Sequence, residues 1–138
     1  MEYILKKYNI NFQVNFDKDI ELKTNEMQLL QIMSVIITNA KDAFVENNTS
    51  EPKIVVTIYE ENSLINISIS NNAGAIDPLI KDKIFEPYYS TKNNSEGTGL
   101  GLYITKLIVE TKLNSSILVR TDKEWTTFII KLTNVLQN

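Results

Sequence analysis

The stretch from Asn25 to Glu46 constrains the fold most. Its apolar residues Leu29, Ile32, Met33, Ile36, Ala40 and Ala43 recur at the spacing of one helix face, and an apolar stripe of that length has to be buried against a neighbouring element. Asn25 is the expected N-cap, with Gln28 three residues on completing a capping-box arrangement. The partner for this stripe is extended chain. "INFQVNF" (10–16) sets Ile10, Phe12, Val14 and Phe16 against Asn11, Gln13 and Asn15, the alternation of a half-buried strand, and "IELK" (20–23) follows the turn-like "DKD". "KIVVTIYE" (53–60) and "SLINISIS" (63–70) read as an antiparallel pair turning at "ENS", and "SSILVRT" (115–121) and "WTTFIIKL" (125–132) as another turning at "DKE". A second helix is expected over "LGLYITKLIVETKL" (100–113), and a short one over "PLIKDKIF" (78–85) with Pro78 in its first position. The predicted order is β β α β β α α β β. Two strong helices and six strands make an α+β fold: one mixed, mostly antiparallel sheet with helices packed on one face.

A chain of 138 residues with 43% hydrophobic and 22% charged residues has the composition of one ordinary globular domain. No apolar run approaches the roughly 20 residues of a membrane-spanning helix, and no signal-peptide pattern opens the chain. The expectation is a cytoplasmic segment without direct membrane contact. There is no cysteine, hence no disulfide framework and no thiolate metal site, and no histidine. The missing histidine excludes zinc catalysis of the usual kind, Ser-His-Asp hydrolysis and any phosphohistidine on this chain. A net charge of −3 lacks the basic excess of a nucleic-acid binder; Lys6 and Lys7 are only a local pair.

Three of the four glycines, Gly97, Gly99 and Gly101, fall within five positions at the entrance to the second helix. Gly97 and Gly99 let backbone N–H groups converge where the helix dipole favours an anion, with a flexible hinge as the competing reading. "GTGLG" lacks the ending of a P-loop, and no strand precedes it as a dinucleotide fingerprint requires. Gly101, inside the helix, costs roughly 1 kcal/mol against alanine, which points to close approach by a neighbouring group or a ligand.

In order and spacing, "TNAKDAF" (38–44), "NNAGAI" (71–76), "IFEPYYSTK" (84–92) and "GTGLGLYITKLI" (97–108) resemble the four sequence boxes of the catalytic ATP-binding domain of bacterial sensor histidine kinases, within the GHKL superfamily. The resemblance runs from Asn11 to Leu132 and implies the Bergerat α/β sandwich of gyrase- and Hsp90-type ATPases, with ATP and Mg²⁺ as cofactors. On it, Asn39 holds the magnesium ion that bridges the phosphates, a role that suits a neutral carbonyl oxygen. Asp42 either faces the same pocket or solvates the helix surface. Asn71, Ala75 and Ile76 fall at the adenine end. Phe85 anchors the lid entrance. Lys92 is placed to meet phosphate oxygens as a point charge or to remain an ordinary loop lysine, and Thr98 with the amides of Gly99, Leu100 and Gly101 forms the phosphate cradle.

Two boxes depart from the family pattern. Asn71, Ala73 and Ala75 stand where the family writes Asp-x-Gly-x-Gly, and Val35 stands four residues before Asn39, where a second asparagine is usual. An asparagine at 71 exchanges a charge-assisted bond for a neutral one, a loss on the order of 1 kcal/mol. Alanines at 73 and 75 cost about 1–2 kcal/mol if either needs a left-handed backbone. Valine neither ligates magnesium nor activates water, so gyrase-type hydrolysis is not expected. The resemblance implies transfer of the γ-phosphoryl group to a histidine on a separate dimerisation module, and through that module service of a response regulator. That module would precede Met1, and residues 1–9 read as the tail of its helical segment, with the ATP-binding domain over 10–138. The alternative is a degenerate domain that keeps the fold as a docking surface and binds nucleotide weakly or not at all.

Overall fold

The computed structural model describes residues 1–16, 24–89 and 100–133. Helix α1 (Glu2–Lys7) leads into strand β1 (Asn11–Phe16), followed by the long helix α2 (Glu26–Glu46). Strands β2 (Lys53–Glu61) and β3 (Leu64–Asn71) come next, then helix α3 (Gly101–Leu107), which widens into a π-helical turn at Ile108–Lys112, and finally β4 (Ser116–Asp122) and β5 (Trp125–Leu132). The described strands form one five-stranded sheet in the order β1-β2-β3-β5-β4. β1 runs parallel to β2, and every other neighbouring pair is antiparallel. This is the mixed, mostly antiparallel sheet expected from the alternating segments. The expected strand at 20–23 lies outside the described residues.

Local chemistry accounts for the boundaries. The Asn25 side chain accepts the Gln28 backbone N–H at 3.0 Å, supplying one of the orphan donors of α2 with an acceptor. The β2–β3 hairpin closes through Asn62 and Ser63, both at positive φ (55° and 64°), the two-residue turn whose twist matches the strands it joins. The predicted short helix over 78–85 does not form, apart from a 3₁₀ turn at Lys83–Phe85. Asp77 Oδ1 accepts the Leu79 N–H at 2.9 Å, and Ile80 N and Lys83 N bond three residues back, so the segment proceeds as successive tight turns. The Asp77 bond is the kind that caps a helix N-terminus, but the backbone bonds that follow close three residues back rather than four, so no α-helical ladder propagates.

The inner face of the sheet follows from its register. Val56, Ile69, Phe128 and Val119 form one row across β2, β3, β5 and β4, and Ile58, Ile67, Ile130 and Ile117 the next. Ile32, Ile36, Ile37, Ala40 and Phe44 are the buried residues of α2, and they pack with these rows in one core. Each large apolar side chain so buried contributes about 1.5–3 kcal/mol. Ile37 and Phe44, outside the predicted stripe, are buried in the same core. The outer face is largely polar, with Ser70 and Thr127 hydroxyls 2.7 Å apart across β3 and β5. α1 buries no residue completely, although Ile4, Leu5 and Tyr8 lean on the core.

Candidate functional site

One step beyond the apolar rows the inner face turns polar. Ile54, Asn71, Thr126 and Thr121 align across β2, β3, β5 and β4. This row fastens the loop that leaves β3. Asn71 Oδ1 accepts the Ala73 N–H at 3.1 Å, Thr126 Oγ1 donates to the Gly74 carbonyl at 2.8 Å, and Thr121 Oγ1 accepts the Ile76 N–H at 2.9 Å. From the end of α2, Asn47 Nδ2 donates to the Ala73 carbonyl at 2.7 Å, and Gly74 N donates to Glu124 O at 3.0 Å. Phe85 holds the far end of the segment. It is 9% exposed and meets Phe128 edge-to-face with centroids 6.2 Å apart, which is the anchoring role expected of it.

Between this loop, α2 and the start of α3 lies an open cavity of about 560 Å³, not plugged by the described side chains. Of the predicted site residues, Asn39, Asp42, Asn71, Ala75, Ile76 and Gly101 line it. Leu100 does not; it sits at the N-cap of α3, where its carbonyl accepts the Ile104 N–H at 2.9 Å. Lys92, Thr98 and Gly99 lie outside the described residues. Asp42 faces the cavity while ion-paired with Lys41, so of the two alternatives its geometry matches the pocket. Lys41 in turn lies 5.4 Å from the Tyr8 ring centroid, joining α1 to this edge of α2.

The structure revises the cost assigned to Ala73 and Ala75. Neither has a positive φ; the left-handed excursion is at Gly74, φ +129°. Ala73 is buried in the core and Ala75 is exposed, so the strain expected of alanine does not arise at either. Gly101 also has a definite reason. A Cβ there would stand 3.3 Å from Val35 Cγ1, so the absent side chain lets the start of α3 close on α2 at the departing valine.

Thr126, Thr121 and Asn47 escaped the sequence reading. Thr126 could have been found: it is a polar residue at an inward-facing position of an alternating strand. The roles of Thr121 and Asn47 depend on register and on where α2 ends, which local pattern does not supply.

The cavity has an acidic rim, with Asp42, Glu46 and Asp77 on its wall and no lysine or arginine among its described lining residues. No cluster of three or more acidic side chains that could hold a metal by itself occurs among the described residues. Asn39 and Asp42, one helical turn apart, nevertheless offer a carbonyl and a carboxylate oxygen. Magnesium, which keeps waters and takes its remaining ligands from phosphates and one or two protein oxygens, fits such a pair.

This geometry agrees with the family comparison. Residues 24–135 match the family described as histidine kinase-, DNA gyrase B- and HSP90-like ATPase, and the chain belongs to it. Its relatives place it among ATP-binding domains of the sensor histidine kinase type. It is 29% identical over 108 residues to the two-component sensor PprA of Pseudomonas aeruginosa, covering 76% of this chain and 12% of that protein. It is 31% identical over 127 residues to the histidine protein kinase SaeS of Staphylococcus epidermidis, covering 88% and 35%. The chain thus spans about a third or less of these relatives. Among solved structures, the catalytic domain of histidine kinase ThkA superposes with a TM-score of 0.80 at 26% identity, covering 96% of this chain and 84% of that one. Full-length ShkA in complex with AMPPNP superposes at 0.82, covering 99% and 28%; at 17% identity this shows the shared fold alone.

Proposed function

We infer that this domain binds ATP as its magnesium complex and presents the γ-phosphoryl group to a histidine on a separate module, which then serves a response regulator. The observation that carries this reading is the open cavity bounded at one side by Asn39 and Asp42 and at its inner end by the buried Asn71 and Thr126. A magnesium ion would supply charge neutralisation between phosphate oxygens, held on the protein side by Asn39 with Asp42 adjacent.

The chain's own residues do the rest. Asn71 and Thr126 orient the base, while Ile76 and Phe128 exclude water from its faces. The acidic rim disfavours bare phosphate and so selects the metal complex over free ATP. In this reading Lys92, Thr98, Gly99, Leu100 and Gly101 belong to the segment that meets the phosphates. Val35 holds no proton, so no residue of α2 activates water at that position, and the phosphoryl group awaits a nucleophile from outside. With no histidine in the sequence, the acceptor is on another module, and residues 1–9 are the approach from it. The reading includes a cytoplasmic setting; among the described residues no helix is long and apolar enough to cross a membrane.

The test is reconstitution. The domain is mixed with the separately produced histidine-bearing helical module of the same kinase and with γ-phosphate-labelled ATP and magnesium. Acid-labile label should appear on the module and not on this chain. Label on this chain, or none on the module, contradicts the reading.

A further inference from the structure

The orientation of one buried amide fixes what the inner end of the cavity can ask of a ligand. Asn71 is 7% exposed and lines the cavity. Its Oδ1 accepts the Ala73 N–H at 3.1 Å. Rotating the amide would set NH₂ against N–H, two donors face to face, so the assignment follows from chemistry. The oxygen is therefore engaged by the loop, and the group left over is Nδ2. No hydrogen bond to Nδ2 is present among the described residues, and it is not sealed off as a buried orphan, so it remains accessible from the cavity. The neighbouring buried hydroxyl, Thr126 Oγ1, already spends its proton on the Gly74 carbonyl at 2.8 Å. Ile76, Ile84 and Phe128 add apolar surface to the cavity's described lining.

A flat heteroaromatic group fits such a place, whereas a triphosphate does not, because Glu46 and Asp77 stand on the wall and no lysine or arginine is among its described lining residues. Resting on the reading that the cavity holds a purine nucleotide, we propose that Asn71 makes the base-recognition point a hydrogen-bond donor, so that the domain takes 6-oxo purine triphosphates at least as readily as ATP. The 6-amino group of adenine is itself a donor and cannot accept from Nδ2, which leaves adenine only its ring nitrogen N1 as a partner, whereas the 6-oxo group of hypoxanthine or guanine accepts directly. A carboxylate in the same position would keep one oxygen on the Ala73 N–H and turn the other, an acceptor, toward the ligand. Asparagine cannot do both. The consequence is a site whose choice of purine is set by a single amide.

Calorimetric titration of the wild-type domain with Mg-ATP and with Mg-ITP tests this, because the two bases differ only at the 6-position and the adjoining ring nitrogen. ITP is expected to bind as tightly as ATP or more tightly. Asn71→Asp is expected to move the ATP:ITP affinity ratio toward ATP by roughly 10-fold or more, the penalty of a buried polar group left unpaired. Tighter binding of ATP than of ITP by the wild type overturns the proposal while leaving nucleotide binding intact. Silence toward both overturns the nucleotide reading as well. The wild-type comparison stands even if Asn71→Asp fails to fold, and GTP, with its additional 2-amino group, reports whether the pocket has room beyond the 6-position.

Discussion

Replacing Gly74 with alanine tests how the loop after β3 is built. At φ +129° an L-residue occupies backbone space that essentially only glycine enters, a strain of order 1–3 kcal/mol. Against this, alanine stiffens the unfolded chain and returns about 0.4–1 kcal/mol. Steric conflict adds little, because the new Cβ would lie 3.6 Å from Asn47 Nδ2, an ordinary contact. The net expectation is a destabilisation of about 1–2 kcal/mol, which for a domain of this size lowers Tm by roughly 3–10 °C. The same change should weaken nucleotide binding, since Gly74 N and O tie the cavity floor to Glu124 and Thr126. Urea unfolding monitored by circular dichroism, with an unchanged slope, reads the first effect, and titration with Mg-ATP the second. The companion variant is Ala73→Gly, which would recreate the family's glycine. Because Ala73 is buried and has no positive φ, it should lose about 1–2 kcal/mol through a buried methyl and added backbone freedom, without gaining affinity. A Gly74→Ala protein as stable as wild type, or an Ala73→Gly protein that is more stable and binds more tightly, would refute the assignment of the left-handed position.

Other perturbations follow from the same geometry. Thr126→Val keeps shape but leaves the Gly74 carbonyl without its 2.8 Å donor, and should cost about 1–3 kcal/mol in chemical denaturation; a loss under a few tenths argues against that bond. Gly101→Val drives a side chain into Val35, which already stands 3.3 Å from an added Cβ, and should destabilise by about 1–3 kcal/mol. Most of that loss should be recovered when Val35→Ala is introduced with it, and simple additivity of the two changes would show that the contact does not limit the helix approach. Asn39→Ala should flatten the magnesium dependence of ATP affinity with little change in stability; an unaltered dependence removes Asn39 from the metal.

The sheet was legible because alternation in "KIVVTIYE", "SLINISIS" and "WTTFIIKL" is a period set by the pleat itself, and α2 because its stripe and the Asn25 cap agree. The segment 78–85 misled because Pro78 and apolar Leu79, Ile80 and Ile84 satisfy a helix pattern, while its backbone bonds, Ile80 N to Asp77 O and Lys83 N to Ile80 O, close three residues back and make successive turns instead. Within the site, Asn39, Asn71 and Gly101 could be named from motif spacing, and the cavity does bring them together. What spacing cannot convey is direction. That Asn71 turns its oxygen to Ala73 and its nitrogen to the cavity, and that Gly74 carries the strain otherwise expected of its neighbours, are facts of three-dimensional hydrogen bonding.

ATP binding by this domain requires the cavity between α2 and the polar end of the sheet to be a nucleotide site. Amide chemical-shift mapping during titration with Mg-ATP measures this directly. Shifts should saturate at micromolar to low millimolar ligand, on the order of ordinary substrate affinities, and concentrate at Asn39, Asp42, Asn71, Gly74, Ile76 and Gly101. No shifts at several-fold higher concentration, or a cluster elsewhere on the surface, contradicts it.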